Sequence, residues 1–180
     1  MTLTRRHFIG GVMPMWLAGR PALAADSAIS AAVLAITHAQ PRSLDALLIK
    51  SEEGELALTA LRGRIVILNM WATWCLPCRR EMPSLSRLKV KLQNAPVDIL
   101  PVAFDRRGLE AVRGFYAETG IANLPALSGD AANLQEVAPN VGLPSTYILD
   151  GDGRLRWSVT GEAQWDDEDT LRWITALPTD

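Results

Sequence analysis

Apolar residues along this chain fall into blocks whose spacing switches between that of buried strands and that of helices. Ile65-Val66-Ile67-Leu68-Asn69-Met70 is an almost unbroken apolar run, as in a strand covered on both faces, and predicts the central strand of a sheet. Beyond it Met82, Leu85, Leu88 and Leu92 recur at helical intervals, so a helix is expected to begin near Cys75 and to kink at Pro83. Val97 to Phe104 predicts a second buried strand, Gly108 to Glu118 a helix carrying Leu109, Val112 and Phe115, and Ala131 to Val137 a shorter helix. Ser145 to Leu149 and the alternating Leu155, Trp157 and Val159 predict two strands joined by a tight turn at Asp150-Gly151-Asp152-Gly153. A last helix is expected from Asp166 to Leu177, opening with acids that suit the positive end of its dipole. Upstream, Leu44 to Ile49 and Glu55 to Leu58 predict a hairpin turning at Glu53-Gly54. Ile29, Ala32, Val33 and Ile36 are spaced for a short amphipathic helix, or belong to a mobile arm. The order is a βαβ unit, an added helix, a short helix and then ββα, which predicts an α/β domain with one mixed sheet covered by helices.

The first 24 residues do not belong to that pattern. A basic start, an apolar stretch from Phe8 to Ala18 and the small-x-small run Ala22-Leu23-Ala24 read as an export signal. Thr4-Arg5-Arg6-His7-Phe8-Ile9 resembles the twin-arginine pattern, with Ile9 in place of leucine. Gly10, Gly11 and Pro14 interrupt the apolar stretch, which is well short of the ~20 residues a spanning helix needs. An uncleaved membrane anchor is the competing reading. The chain thus divides into an export signal over 1–24, an N-terminal arm over 25–40 and a folded domain over 41–180. Export implies a periplasmic location, with membrane contact only during passage or through a retained signal.

Composition narrows the function. The 180 residues are 48% hydrophobic and 21% charged, which fits an ordinary globular domain and excludes a disordered or fibrous chain. The formal charge of −2 becomes −5 once the signal and its three arginines are gone, leaving 15 basic against 20 acidic residues, so no nucleic acid partner is expected. A soluble monomer is. Asp166-Asp167-Glu168-Asp169 reads as a helix start and not a calcium site, and Trp157, Trp165 and Trp173 as packing and not a ligand cage. With His7 and His38 as the only histidines, a closed zinc site is hard to assemble, and no metal or other cofactor is expected.

The chemistry centres on the chain's two cysteines, Cys75 and Cys78. In an oxidising periplasm a pair three residues apart forms a disulfide unless something reduces it. Placed on a helix's first turn, such a pair supplies an attacking thiolate and a second thiol to resolve the mixed disulfide. Cys75 is expected to attack and Cys78 to resolve. The helix dipole, with Arg79 and Arg80 close by, favours the Cys75 thiolate, and Pro77 suits an opening turn because it has no N–H to leave unpaired. Glu81 lies one turn beyond Cys78 and reads either as a proton acceptor for the pair or as an ordinary exposed glutamate. In Leu143-Pro144-Ser145, a cis peptide at Pro144 would turn the backbone toward the cysteines and offer edge groups to a substrate strand, while a trans loop proline is the plainer reading. A thiolate pair also binds Cu(I), which keeps a copper-carrying module as the alternative function.

Two runs carry a family resemblance. Asn69-Met70-Trp71-Ala72-Thr73-Trp74-Cys75-Leu76-Pro77-Cys78-Arg79-Arg80-Glu81-Met82-Pro83 resembles the active-site run of the TlpA-like thioredoxins, a family that includes the cytochrome c maturation thiol reductases. Gly142-Leu143-Pro144-Ser145-Thr146-Tyr147-Ile148-Leu149-Asp150 resembles its second signature. The resemblance implies a thioredoxin fold with an N-terminal β-hairpin and an inserted helix, a cis Pro144 beside the cysteines, and a Glu81 that tunes cysteine acidity. It also implies supporting or substrate-binding roles for Trp74, Pro77, Leu143 and Pro144. The activity implied is that of an exported protein-disulfide reductase, which draws electrons from a membrane donor of the DsbD or CcdA kind and passes them to apocytochrome c or a copper-handling protein. Asn69 stands where thioredoxins at large carry a buried aspartate, which leaves Glu81 as the group for a proton relay.

Overall fold

The computed structural model describes residues 36–179. The expected export signal, and the helical spacing over 29–35, lie outside the described residues. An eight-stranded mixed sheet forms the frame, in the order β1-β8-β7-β4-β5-β6-β2-β3. The strands are β1 (Thr37–Ser43), β2 (Ile49–Ser51), β3 (Gly54–Leu56), β4 (Ile65–Trp71), β5 (Val97–Ala103), β6 (Leu127–Gly129), β7 (Ser145–Leu149) and β8 (Arg154–Thr160). Among the described residues four α-helices accompany them, α1 (Leu76–Lys91), α2 (Leu109–Thr119), α3 (Ala131–Val137) and α4 (Glu168–Thr175), with a short 3-10 turn at Leu58–Leu61.

β4 is the central strand, as its apolar run predicts. All seven of its residues are buried. It pairs in parallel with β5 and antiparallel with β7, so α1 is the crossover between two parallel neighbours. Alternation then sorts its side chains. Ile65, Ile67 and Trp71 pack into one apolar core with Cys78, Met82, Leu85 and Leu88 of α1, with Val112 and Phe115 of α2, and with Ile174 of α4. Val66, Leu68 and Met70 pack into the other with Leu100 and Val102 of β5, Leu134 of α3 and Leu155 of β8. Asn69 shares the parity of Ile67 and Trp71, so strand geometry alone aims this polar side chain at α1.

The structure differs from the sequence pattern in four places. The hairpin exists but is shorter: Leu44 and Leu47 are buried, yet they are joined by a turn in which Leu47 N–H bonds the Leu44 carbonyl, and strand pairing begins only at Ile49. β1 pairs antiparallel with β8 and crosses the expected 40/41 boundary; its pattern hid it, because it is a mostly exposed edge strand containing Pro41. β6 spans three residues and is held by β5 on one side and β2 on the other, so partners and not propensity make it a strand. The last helix starts two residues late, because the Asp167 carboxylate caps it by accepting from Asp169 N–H and Thr170 N–H. α1 runs through Pro83 as one element.

Candidate active site

The site is built where β4 ends. Chain leaving the C-terminal end of a central parallel strand enters a helix whose first N–H groups have no partner within the helix. Cys75 is the N-cap of α1, and its sulfur accepts from Cys78 N–H at 3.3 Å. Pro77 occupies the first turn, as anticipated. Cys75 and Cys78 form a disulfide. Cys78 is fully buried, whereas Cys75 keeps 7% of its surface exposed. Beside it Trp74 and Leu76 are exposed large apolar residues, at 70% and 62%.

Glu81 is not the exposed glutamate of the plainer reading: only 1% of it is accessible. Its Oε1 accepts from Asn69 Nδ2 at 2.8 Å, and its Oε2 from Ala163 N–H at 3.2 Å and Trp165 Nε1 at 3.4 Å. Burial pushes its carboxyl up to about 7 from the ordinary 4.5, against the pull of these three donors. The sequence did carry a signal for this burial. Glu81 stands four residues before Leu85 and seven before Leu88, on the apolar stripe of α1.

The Leu143–Pro144 peptide is cis. Pro144 is buried, and Leu143 packs against the core that contains both cysteines. Gly161 N–H bonds the Pro144 carbonyl at 2.9 Å, so the segment after β8 ties this corner to the Glu81 pocket two residues further on. Arg79 is ion-paired with Glu118 at 2.7 Å and also donates to the Thr73 carbonyl at 3.3 Å, and Arg80 is ion-paired with Glu162 at 2.5 Å, so the charges beside the helix terminus come with carboxylates attached.

Three contributors were not anticipated. Thr146, inside the second signature run, accepts from Asn69 Nδ2 at 2.9 Å. Trp165 is fully buried, with its indole N–H on the Glu81 carboxylate. Asp105, just past the end of β5, accepts from both Thr73 N–H at 2.9 Å and Thr73 Oγ1 at 2.8 Å, fixing the turn that presents Trp74 and Cys75. Its position at a strand's C-terminal end is a weak sequence signal for such a role. Asp105→Ala leaves two donors without their acceptor and is expected to cost about 2 kcal/mol, measured by urea unfolding of the oxidised protein.

A closed cysteine pair capping a helix after the central strand, with a cis-proline corner packed on the same core, defines a thioredoxin-fold protein with a redox-active centre. The chain belongs to the Redoxin family, whose model matches residues 27–172. It is 34% identical over 120 residues to the thiol-disulfide oxidoreductase ResA of Geobacillus thermodenitrificans, an alignment covering 65% of this chain and 66% of that relative. Its fold matches a thiol:disulfide interchange protein of the thioredoxin family from Chlorobium tepidum with a TM-score of 0.60 at 21% identity, over 77% of this chain and 99% of that one. A secreted thiol-disulfide isomerase from Corynebacterium glutamicum gives 0.63 at 21% identity, over 81% and 91%. The TlpA-like resemblance of the two signature runs is borne out.

Proposed function

We propose that this protein is an exported thiol:disulfide oxidoreductase that reduces protein disulfides. The observation that carries the reading is the Cys75–Cys78 disulfide at the start of α1, in which Cys75 keeps 7% of its surface and Cys78 none, with the buried Glu81 carboxyl one turn beyond Cys78. In the reduced protein the Cys75 thiolate, favoured by the helix terminus and by Cys78 N–H, attacks one sulfur of a substrate disulfide. A mixed disulfide forms and one substrate thiolate leaves, taking a proton from water. Cys78 then gives up its proton, with Glu81 as acceptor, and attacks the Cys75 sulfur. The second substrate thiol departs, two electrons have moved to the substrate, and the pair is closed as the structure has it. Trp74 and Leu143 supply apolar surface beside the exchange, and Pro77 and Pro144 fix the two backbone segments that flank it. The Pro144 carbonyl is already taken by Gly161 N–H, so Leu143 is the residue that offers edge groups to a substrate strand.

Reopening the disulfide requires a dithiol donor. A membrane protein of the DsbD or CcdA kind suits an acidic periplasmic monomer delivered by the twin-arginine route. Apocytochrome c or a copper-site protein then suits as the acceptor. The thiol-disulfide oxidoreductase relative and the arginine pair at Arg5 and Arg6 support this placement. Equilibration with glutathione tests direction: a potential near −250 mV or lower is expected, and a value near −120 mV would instead make the protein an oxidant. Tight Cu(I) binding lost in Cys75→Ser, in a wild-type protein without exchange activity, would favour the copper carrier.

A further inference from the structure

The Glu81 carboxylate poses a problem that the proposed exchange step does not solve by itself. Among the described residues, the three groups that reach it are Asn69 Nδ2, Ala163 N–H and Trp165 Nε1, and all three are donors. That arrangement suits the ionised form. Once Glu81 takes a proton, it needs an acceptor for its new O–H, and a buried O–H facing an N–H is repelled. Ala163 offers backbone fixed by the segment after β8, and a buried indole N–H can only donate. Asn69 alone of the three carries an acceptor on the same group as its donor. That acceptor, Asn69 Oδ1, is buried without a partner.

We infer that Asn69 is the positioning residue that lets Glu81 gain and lose a proton inside the core, by turning its amide end over end as the carboxyl changes state. With Glu81 ionised, Nδ2 donates to Glu81 Oε1 and to Thr146 Oγ1, as observed. With Glu81 protonated, a half-turn about the Cβ–Cγ bond puts Oδ1 in the place of Nδ2. It then accepts from the Glu81 O–H and from the Thr146 hydroxyl, which can donate as readily as accept. Amide nitrogen and oxygen are close in size, and this terminal torsion is broad and roughly two-fold, so the turn needs no repacking. One end of the amide stays unpaired in either state, so neither state is locked. An aspartate at this position would instead set a second carboxyl against Glu81 and couple the two titrations. The other charged group that bears on Glu81 is Glu162, which is itself held by Arg80, and Cys78 on the same helix is closed in the disulfide and does not titrate. β4 and β7 present Asn69 and Thr146, neither of which titrates.

The inference rests on the reading of Glu81 as the proton acceptor, and it is tested on the oxidised wild-type protein, without substrate. The Glu81 carboxyl carbon is followed by NMR together with nuclear Overhauser contacts between the Asn69 side-chain amide protons and the Thr146 side chain. Those contacts are expected above the Glu81 midpoint of about 7 and are expected to fade below it with the same midpoint. In Glu81→Gln, whose amide donates to Asn69 Oδ1 at every pH, they are expected to be weak throughout. Contacts that persist at pH 5 while the Glu81 carbon titrates would overturn the role of Asn69 and leave the exchange mechanism standing. Absent exchange activity would bring down the proposed function, and the amide rotation would still be read in this experiment.

Discussion

Cys75→Ser is expected to lower disulfide-exchange turnover on the order of 10³-fold or more, because it removes the sulfur of the less buried member of the pair, the one at the helix N-cap. Serine keeps the N-cap role, since its hydroxyl accepts from Cys78 N–H much as the sulfur does, so the helix start is preserved and the loss reports chemistry. Cys78→Ser gives a different failure. Cys75 still attacks, but nothing resolves the product, so a mixed disulfide with the substrate accumulates. Non-reducing electrophoresis with mass spectrometry of the adduct separates the two variants. An adduct through residue 78 in Cys75→Ser would reverse the assigned roles.

Glu81→Gln is expected to make the oxidised protein more stable and the enzyme slower. The Glu81 carboxyl sits at about 7 in the fold, against 4.5 in the unfolded chain, because burial disfavours its charge. The folded state therefore holds a proton that the unfolded state has already released between those two values. Stability falls as pH rises through that window, and the full cost, about 3 kcal/mol, applies above it. Glutamine carries no charge to desolvate. The variant should gain about that amount at pH 8 and almost nothing at pH 4, as measured by urea unfolding at both values. If Glu81 is the proton acceptor proposed above, resolution by Cys78 should slow by about 10²-fold in this variant. A pH-independent difference in stability would mean that Glu81 is not ionising inside the fold.

Much of this was legible in the sequence where packing is dictated locally. The β4 run, the end-to-end match of β7 and the cysteine pair at a strand-to-helix junction each follow from spacing over fewer than about ten residues, the scale on which periodicity speaks. The Glu81 pocket is different. Its donors come from Asn69 on β4 and from Ala163 and Trp165 after β8, roughly eighty residues downstream of the carboxylate, and no local pattern reports such a meeting. Trp165 read as packing, and it does pack; only the sheet order brings its indole N–H to the carboxylate. The same holds for β1 and β6, which are strands because of their neighbours. The carboxylate partners of Arg79 and Arg80 escape local pattern for a related reason, since Glu118 and Glu162 approach from distant elements.

The unequal exposure of the two cysteines has a consequence for traffic through the protein. Cys78 is sealed, so a reductant recharging the closed pair must strike the same sulfur that later strikes the substrate. In the proposed cycle, donor and recipient therefore use one doorway in turn and exclude each other there, and each round alternates between two visitors that never meet. An excess of either one would slow delivery to the other.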